Sequence, residues 1–230
     1  MTNFQNTFTP NAGVSGASRL AEHKFGYNPT VGNTYETIWD GANVYTYAAT
    51  AGVATVTSAD SDDNGSTVQV TGLDDNYDIV NETITVGGSA GTQTFSRVYR
   101  AKMITANTGD TNQGDVTVTV DSTAVAIITE GFGQTLMCVY TVPRGYRAFL
   151  NQIDIGSQKD LEHHTRFITK EIDNGNVWTT KTLISTRGGF LEKNFVSPIL
   201  IPQKTDIELQ GKSSATSAIS ASFELYLQRI

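Results

Sequence analysis

The residues best suited to chemistry in this 230-residue sequence are acidic and imidazole side chains in short clusters. Asp60-Ser61-Asp62-Asp63-Asn64-Gly65 matches the first half of a calcium loop, in which oxygens from Asp60, Asp62 and Asn64 converge on one ion and a glycine turns the chain. The full pattern requires a glutamate at position 71, where this sequence has Thr71. An acidic hairpin tip kept polar by solvent accounts for the same run, and for Asp74-Asp75-Asn76-Tyr77-Asp78. His163-His164, flanked by Asp160 and Glu162, suggests an imidazole pair for a metal. Adjacent residues on a strand point to opposite faces, however, so the two rings do not easily share one ion. With only His23 elsewhere, a polar strand end or loop is the simpler reading, and an intersubunit site about a symmetry axis is the alternative.

Nucleophilic chemistry is no better supplied. There is no Gly-x-Ser-x-Gly elbow, and the single cysteine, Cys138, lies in the apolar run Leu136-Met137-Cys138-Val139-Tyr140, where a thiolate is disfavoured. It reads as a small core residue, and alone it excludes an intrachain disulfide and a cysteine-built metal site. Carboxylate pairs such as Asp154 with Glu171, or Glu82 with Asp78, fit the pattern of a glycosidase, but a chain with 23 acids supplies such pairs by chance. The glycine-rich segments lie between strands without a following helix, so none makes a phosphate cradle. Arg187-Gly188-Gly189-Phe190 reads as a turn. Trp39, Trp178, Tyr45, Tyr47, Tyr146 and Tyr226 are the aromatics available for a sugar platform, although most are expected in cores or interfaces. The sequence therefore points to a protein that is not an enzyme and uses no cofactor.

A formal charge of −7 argues against nucleic acid, whose phosphates require clustered Lys and Arg, and equally against an anionic membrane surface. The start has no basic and apolar signal sequence, and no run approaches the ~18 apolar residues of a membrane span. A soluble protein made in the cytoplasm is expected.

The elements that would have to position any site are strands. From Tyr35 onward, short alternating segments separated by turn clusters give the texture of an all-β sandwich or barrel. Val53 to Thr57, Thr67 to Thr71, Ile79 to Val86, Phe95 to Ile104, Asp115 to Val120 and Ala124 to Thr129 form a first series. Thr135 to Val142, turning through Pro143-Arg144-Gly145 into Tyr146 to Ile155 as a hairpin, opens a second. It continues with Arg166 to Ile172, Val177 to Ser185, Phe195 to Ile201, Asp206 to Leu209 and Ala221 to Leu227. The last alternates Ala221, Phe223, Leu225 and Leu227 with polar residues. These series divide the chain into an extended N-terminal arm (1–34), a first β-sandwich (35–134) and a second, jelly-roll-like sandwich (135–230). An interleaved single sandwich is the alternative. The arm is too poor in apolar residues to build a core. Its one helical hint is Ser18 to Lys24. Its isolated aromatics, Phe4, Phe8, Phe25 and Tyr27, suit an arm lying on a neighbouring surface, with Trp39 where arm meets body.

The motifs Gly26-Tyr27-Asn28-Pro29-Thr30-Val31, Ile38-Trp39-Asp40-Gly41 leading into Tyr45-Thr46-Tyr47, Val70-Thr71-Gly72-Leu73-Asp74-Asp75-Asn76-Tyr77, Glu82-Thr83-Ile84-Thr85-Val86-Gly87-Gly88, Phe95-Ser96-Arg97-Val98-Tyr99-Arg100-Ala101 and Gly131-Phe132-Gly133-Gln134-Thr135-Leu136-Met137 with Tyr140-Thr141-Val142-Pro143-Arg144-Gly145 span roughly residues 26 to 150. Together they resemble a family of small β-rich virion proteins of tailed bacteriophages, often from marine and freshwater hosts. The resemblance implies a capsid decoration or cement protein on the virion surface whose partner is the major capsid protein shell. A tail, baseplate or fibre-base component is the close alternative, and a carbohydrate-binding receptor module a more distant one. It carries over no catalytic residues. Symmetric self-association follows from such a role, with a homotrimer expected.

Overall fold

Period-two alternation of β-branched and polar residues produces strands almost throughout the computed structural model, which describes residues 19–230. In chain order the strands are β1 (Arg19–Val31), β2 (Glu36–Thr37), β3 (Gly52–Ser58), β4 (Thr67–Leu73), β5 (Ile79–Thr85), β6 (Thr94–Phe95), β7 (Arg97–Thr105), β8 (Val116–Val120) and β9 (Thr123–Ile128). There follow β10 (Val139–Thr141), β11 (Tyr146–Glu171), β12 (Trp178–Ile201), β13 (Thr205–Ser213) and β14 (Ser217–Arg229). Among the described residues the only helical element is a 3-10 turn at Ser61–Asp63. The protein is all-β.

One seven-stranded sheet is built around β11 and takes strands from both ends of the chain, in the order β1-β14-β11-β13-β10, with β12 on β11 and β2 on β13. The first half of β11 pairs with β14 and the second half with β13, while β12 follows it along the opposite edge. The strand bends where its register shifts between Ser157 and Glu162, opposite Gly188 and Gly189, both at positive φ. The two halves of one sheet thereby face each other. Phe167 from the second half of β11 meets Phe223 of β14 edge-on at 5.4 Å in the shared core. An earlier bulge between Leu150 and Gln152 changes the parity of the strand, so Ala148 and Leu150, then Ile153 and Ile155, all point inward.

The chain between β2 and β10 forms a second, smaller unit. Sheets β6-β3-β8-β9 and β5-β4-β7 enclose a core that includes Val56, Val68, Val70, Val116, Val118 and Ile128. This unit is inserted into the larger one, and β13 shows how they join. Its Ile207 and Leu209 enter the large core, and the alternate residues Asp206, Glu208 and Gln210 are buried too, on the opposite face. Asp206 is fully buried and accepts from Arg97 of β7 at 2.8 and 3.1 Å and from Thr141 at 2.7 Å, with Lys170 at 3.2 Å. Arg97 also lies over the rings of Tyr47 and Tyr77. Burial raises the Glu208 carboxyl above its ordinary range, against hydrogen bonds from Thr37 and Gln210. The two units thus meet along a polar, internally paired seam.

Two sequence expectations change here. Residues 19 to 31 are a strand of the large sheet and not part of an arm, and the helical turn expected at Ser18 to Lys24 is replaced by β1 over its described residues. The inward positions of β1 are Lys24, Gly26 and Asn28, so the apolar alternation that marks a strand is missing although all three are buried. The Pro143-Arg144-Gly145 turn forms, with Tyr146 N–H donating to Pro143 O at 3.2 Å, but it does not close a hairpin. Its flanking strands diverge, β10 onto β13 and β11 between β14 and β12.

Candidate interaction surface

Gly26 determines which way β1 faces. A Cβ there would lie 2.2 Å from Ile38 O and 2.7 Å from Cys138 N, so the backbone of β1 rests directly on the neighbouring segments. Phe25 and Tyr27, on either side of it, are turned outward. Register then sets two rows across the outer face of the sheet. Tyr27, Ser220, Gly156 and Phe190 lie opposite one another on β1, β14, β11 and β12, and Phe25, Ser222, Asp154 and Glu192 form the adjacent row. Both rows have small residues near their middle. A Cβ at Gly156 would come within 2.8 Å of Ser220 Oγ, so the floor is already as full as the strands allow.

Aromatic rings rise around this floor. Phe132 projects from the loop between β9 and β10 between Gly131 and Gly133, both in the left-handed region, and is 53% exposed. Phe190 follows the kink at Gly188-Gly189 and is 71% exposed. Phe25, Tyr27 and Leu136 complete an open groove of about 600 Å³. Two titratable side chains line it, each beside a neighbour in the fold. Asp154 accepts from Gln152 at 2.9 and 3.1 Å and from Ser222 at 2.8 Å, and His23 Nδ1 is 3.6 Å from the Glu224 carboxylate. The groove therefore offers mainly apolar contact and shape, with the Asp154 carboxylate hydrogen-bonded to neutral groups at its floor.

The outer edge of β12 is a second open feature. No described strand pairs with it, and Val177, Trp178, Leu183, Phe190, Val196 and Leu200 are all exposed on or beside it. The edge is blunted by the Gly188-Gly189 kink and by a bulge in which residues 195–198, ending in Pro198, oppose Asn151.

Phe25 and Tyr27, singled out from the sequence, come together in the groove. Phe4 and Phe8 lie outside the described residues. Trp39 sits in the core of the smaller unit, edge-on to Tyr45 at 5.0 Å, with its indole N–H donating to Ala42 O at 2.8 Å. Tyr45 is buried, while Tyr47 is partly buried with its ring 6.3 Å from that of Trp178. The Asp60 carboxylate caps the 3-10 turn by accepting from Asp62 N–H at 2.9 Å. The buried acid of that run is Asp63, which takes Ser58 Oγ at 2.6 Å and the amides of Gln113 and Gly114 at 2.8 and 3.0 Å. Asn64 lies against Gly87. His163 and His164 take opposite faces, one buried and the other beside Glu162 at 3.0 Å. No group of three or more His, Cys, Asp or Glu side chains among the described residues is placed to hold a metal ion. Cys138 is buried with its thiol pushed well up by desolvation, and Sγ lies 3.2 Å from Ala221 O. No described helix is long and apolar enough to cross a membrane, which says nothing about strands.

Phe132, Leu136 and Phe190 are the groove residues the sequence reading did not single out. The available signal was glycine beside an exposed aromatic, in Gly131-Phe132-Gly133 and Gly188-Gly189-Phe190.

No known protein family's profile matches the sequence. No curated protein matches it either. Among solved structures, the chain is similar to proteins in the structures of infectious bursal disease virus strains Gt (12% identity, 91% of this chain and 72% of the other, TM-score 0.19) and Gx (10%, 92% and 72%, TM-score 0.25). A third is the infectious bursal disease virus VP2 subviral particle (10% identity, 92% and 76%, TM-score 0.18).

Proposed function

We propose that the protein is a non-enzymatic virion structural protein that decorates and cements a tailed-phage capsid, its N-terminal arm lying on neighbouring subunits. One observation carries the reading toward assembly: the body has an open, mainly apolar aromatic groove beside an edge strand rich in exposed apolar side chains. Exposed apolar surface of this kind is what a protein retains when a partner covers it. The capsid assignment rests on the sequence motifs, which resemble phage virion proteins. The major capsid protein shell is then the partner, the virion surface the location, and the host bacterial cytoplasm the place of synthesis. A homotrimer is the expected free state, because capsid sites repeat about symmetry axes.

The test is cosedimentation with particles stripped of accessory proteins, after light scattering has fixed the free oligomer. Saturable binding at a copy number matching the shell lattice is expected. Binding at a few copies per particle, or none, would refute the decoration reading and favour the tail, baseplate or fibre base. Glycan binding by the isolated protein would favour a receptor module.

A further inference from the structure

We propose that the groove lined by Phe25, Tyr27, Phe132, Leu136 and Phe190 receives the aromatic side chains Phe4 and Phe8 of a second copy of this chain. This rests on the assembly reading above and names the site and the occupant.

The first argument is charge. The opening 18 residues contain none of the chain's 16 Lys and Arg, 23 Asp and Glu or 3 His side chains. A largely apolar groove would strip the hydration of most charged groups entering it, whereas an uncharged segment enters without that cost. The second argument is shape. The floor is Gly156, Ser220 and Ser222, and the walls are aromatic, so the void suits a large flat side chain stacked or set edge-on against rings. Phe4 and Phe8 are four residues apart in sequence, an even spacing that a strand added to this groove would turn to one face. The third argument is where the described chain begins. β1 starts at Arg19, eight residues and thus about 26 Å of strand from Tyr27, so the preceding segment joins the body at the end of β1 far from the groove. Eighteen residues reach about 60 Å when extended, which is ample to cross to a neighbour and also exceeds the distance back to the chain's own groove, so the cross-linking below compares the two.

Two single-cysteine substitutions on separate, differently tagged chains give the test. Phe8→Cys is mixed with Ser220→Cys under mild oxidation, with Ser89→Cys, exposed on the smaller unit, as the control. Buried Cys138 is common to all. The expected result is a mixed disulfide between the two tags with the groove cysteine, at least about tenfold above the control, because docking raises the local thiol concentration. As a second measurement, Ser220→Phe should fill the groove and lower the light-scattering mass with an unchanged melting temperature. A disulfide that forms only when both cysteines are on one chain, with monomer mass, would show that each segment fills its own groove and would overturn the proposal. Equal yields with Ser89→Cys, or no product, would overturn it as well. Cosedimentation of the cross-linked pair separates the two levels. A cross-link without particle binding removes the decoration reading alone, and particle binding without a cross-link removes the groove assignment alone.

Discussion

The seam between the two units and the aromatic groove are both places where the outer face of the large sheet is used, and they are built from opposite materials. At the seam β13 presents Asp206, Glu208 and Gln210, which the inserted unit covers and helps to pair. At the groove β14 and β11 present Ser220, Ser222 and Gly156, ringed by aromatics that nothing in the described chain covers. A contact made once during folding tolerates buried charge because its partners are covalently guaranteed. A contact made with a separate molecule favours apolar area and shape, since any charge left unpaired in the free state would have to be desolvated on every association.

The most damaging way to break that contrast is at the seam. Asp206→Ala leaves Arg97 and Lys170 with an unpaired buried cluster and should destabilise the protein by about 3–5 kcal/mol, read as a shift of the denaturation midpoint. If the loss is under ~1 kcal/mol, the pairing is not what holds the units together.

Next in size is Lys24, where β1 meets the smaller unit. Desolvation lowers its ammonium to about 7, although the side chain donates to Tyr99 O and lies over the Tyr99 ring. With the folded value below the unfolded one, the unfolded chain binds more protons between about 7 and 10.5, and this group makes stability rise with pH across that window. The rise is on the order of 1.4 kcal/mol for each pH unit of the window. Lys24→Met should abolish it, and an unchanged pH profile would place the ammonium in water. Asp40 has the opposite sign. Burial lifts its carboxyl to about 7 while it accepts Leu136 N–H at 2.7 Å, so its contribution falls as pH rises from about 3.8 to 7. Asp40→Asn should flatten that limb by a smaller amount, because the site is only partly desolvated.

The smallest expected stability effect is at the groove. Phe190→Ser removes an exposed ring and should change folding stability by less than about 0.5 kcal/mol while weakening self-association in light scattering. A large loss of stability there would mean that the groove is part of the fold and not a surface for partners.

Strands whose inward residues are apolar were legible without coordinates. Val116 to Val120, and Ala221 to Leu227 within β14, show their alternation openly. β1 was not legible because its buried side is Lys24, Gly26 and Asn28, residues that signal burial only once the smaller unit is in place. β11 looked like two strands because Ser157 to Glu162 is polar, yet that stretch is a bulge inside one continuous strand. The hairpin expected around Pro143 failed because a turn fixes a reversal of direction and does not choose the partner. At the candidate site, Phe25 and Tyr27 were found as isolated aromatics. Phe132 and Phe190 were not, since only register brings residues so far apart in sequence to the same face.

The pairing of β1 with β14 also determines how the body would bear a load applied through its N-terminus. The two strands stay in register from Arg19 opposite Gln228 to Asn28 opposite Ile219. Tension at Arg19 acts along the strand, so it shears the row of backbone hydrogen bonds together instead of peeling them one after another. A tether pulling there along the strand would resist rupture better than one that opens the pair from a single end.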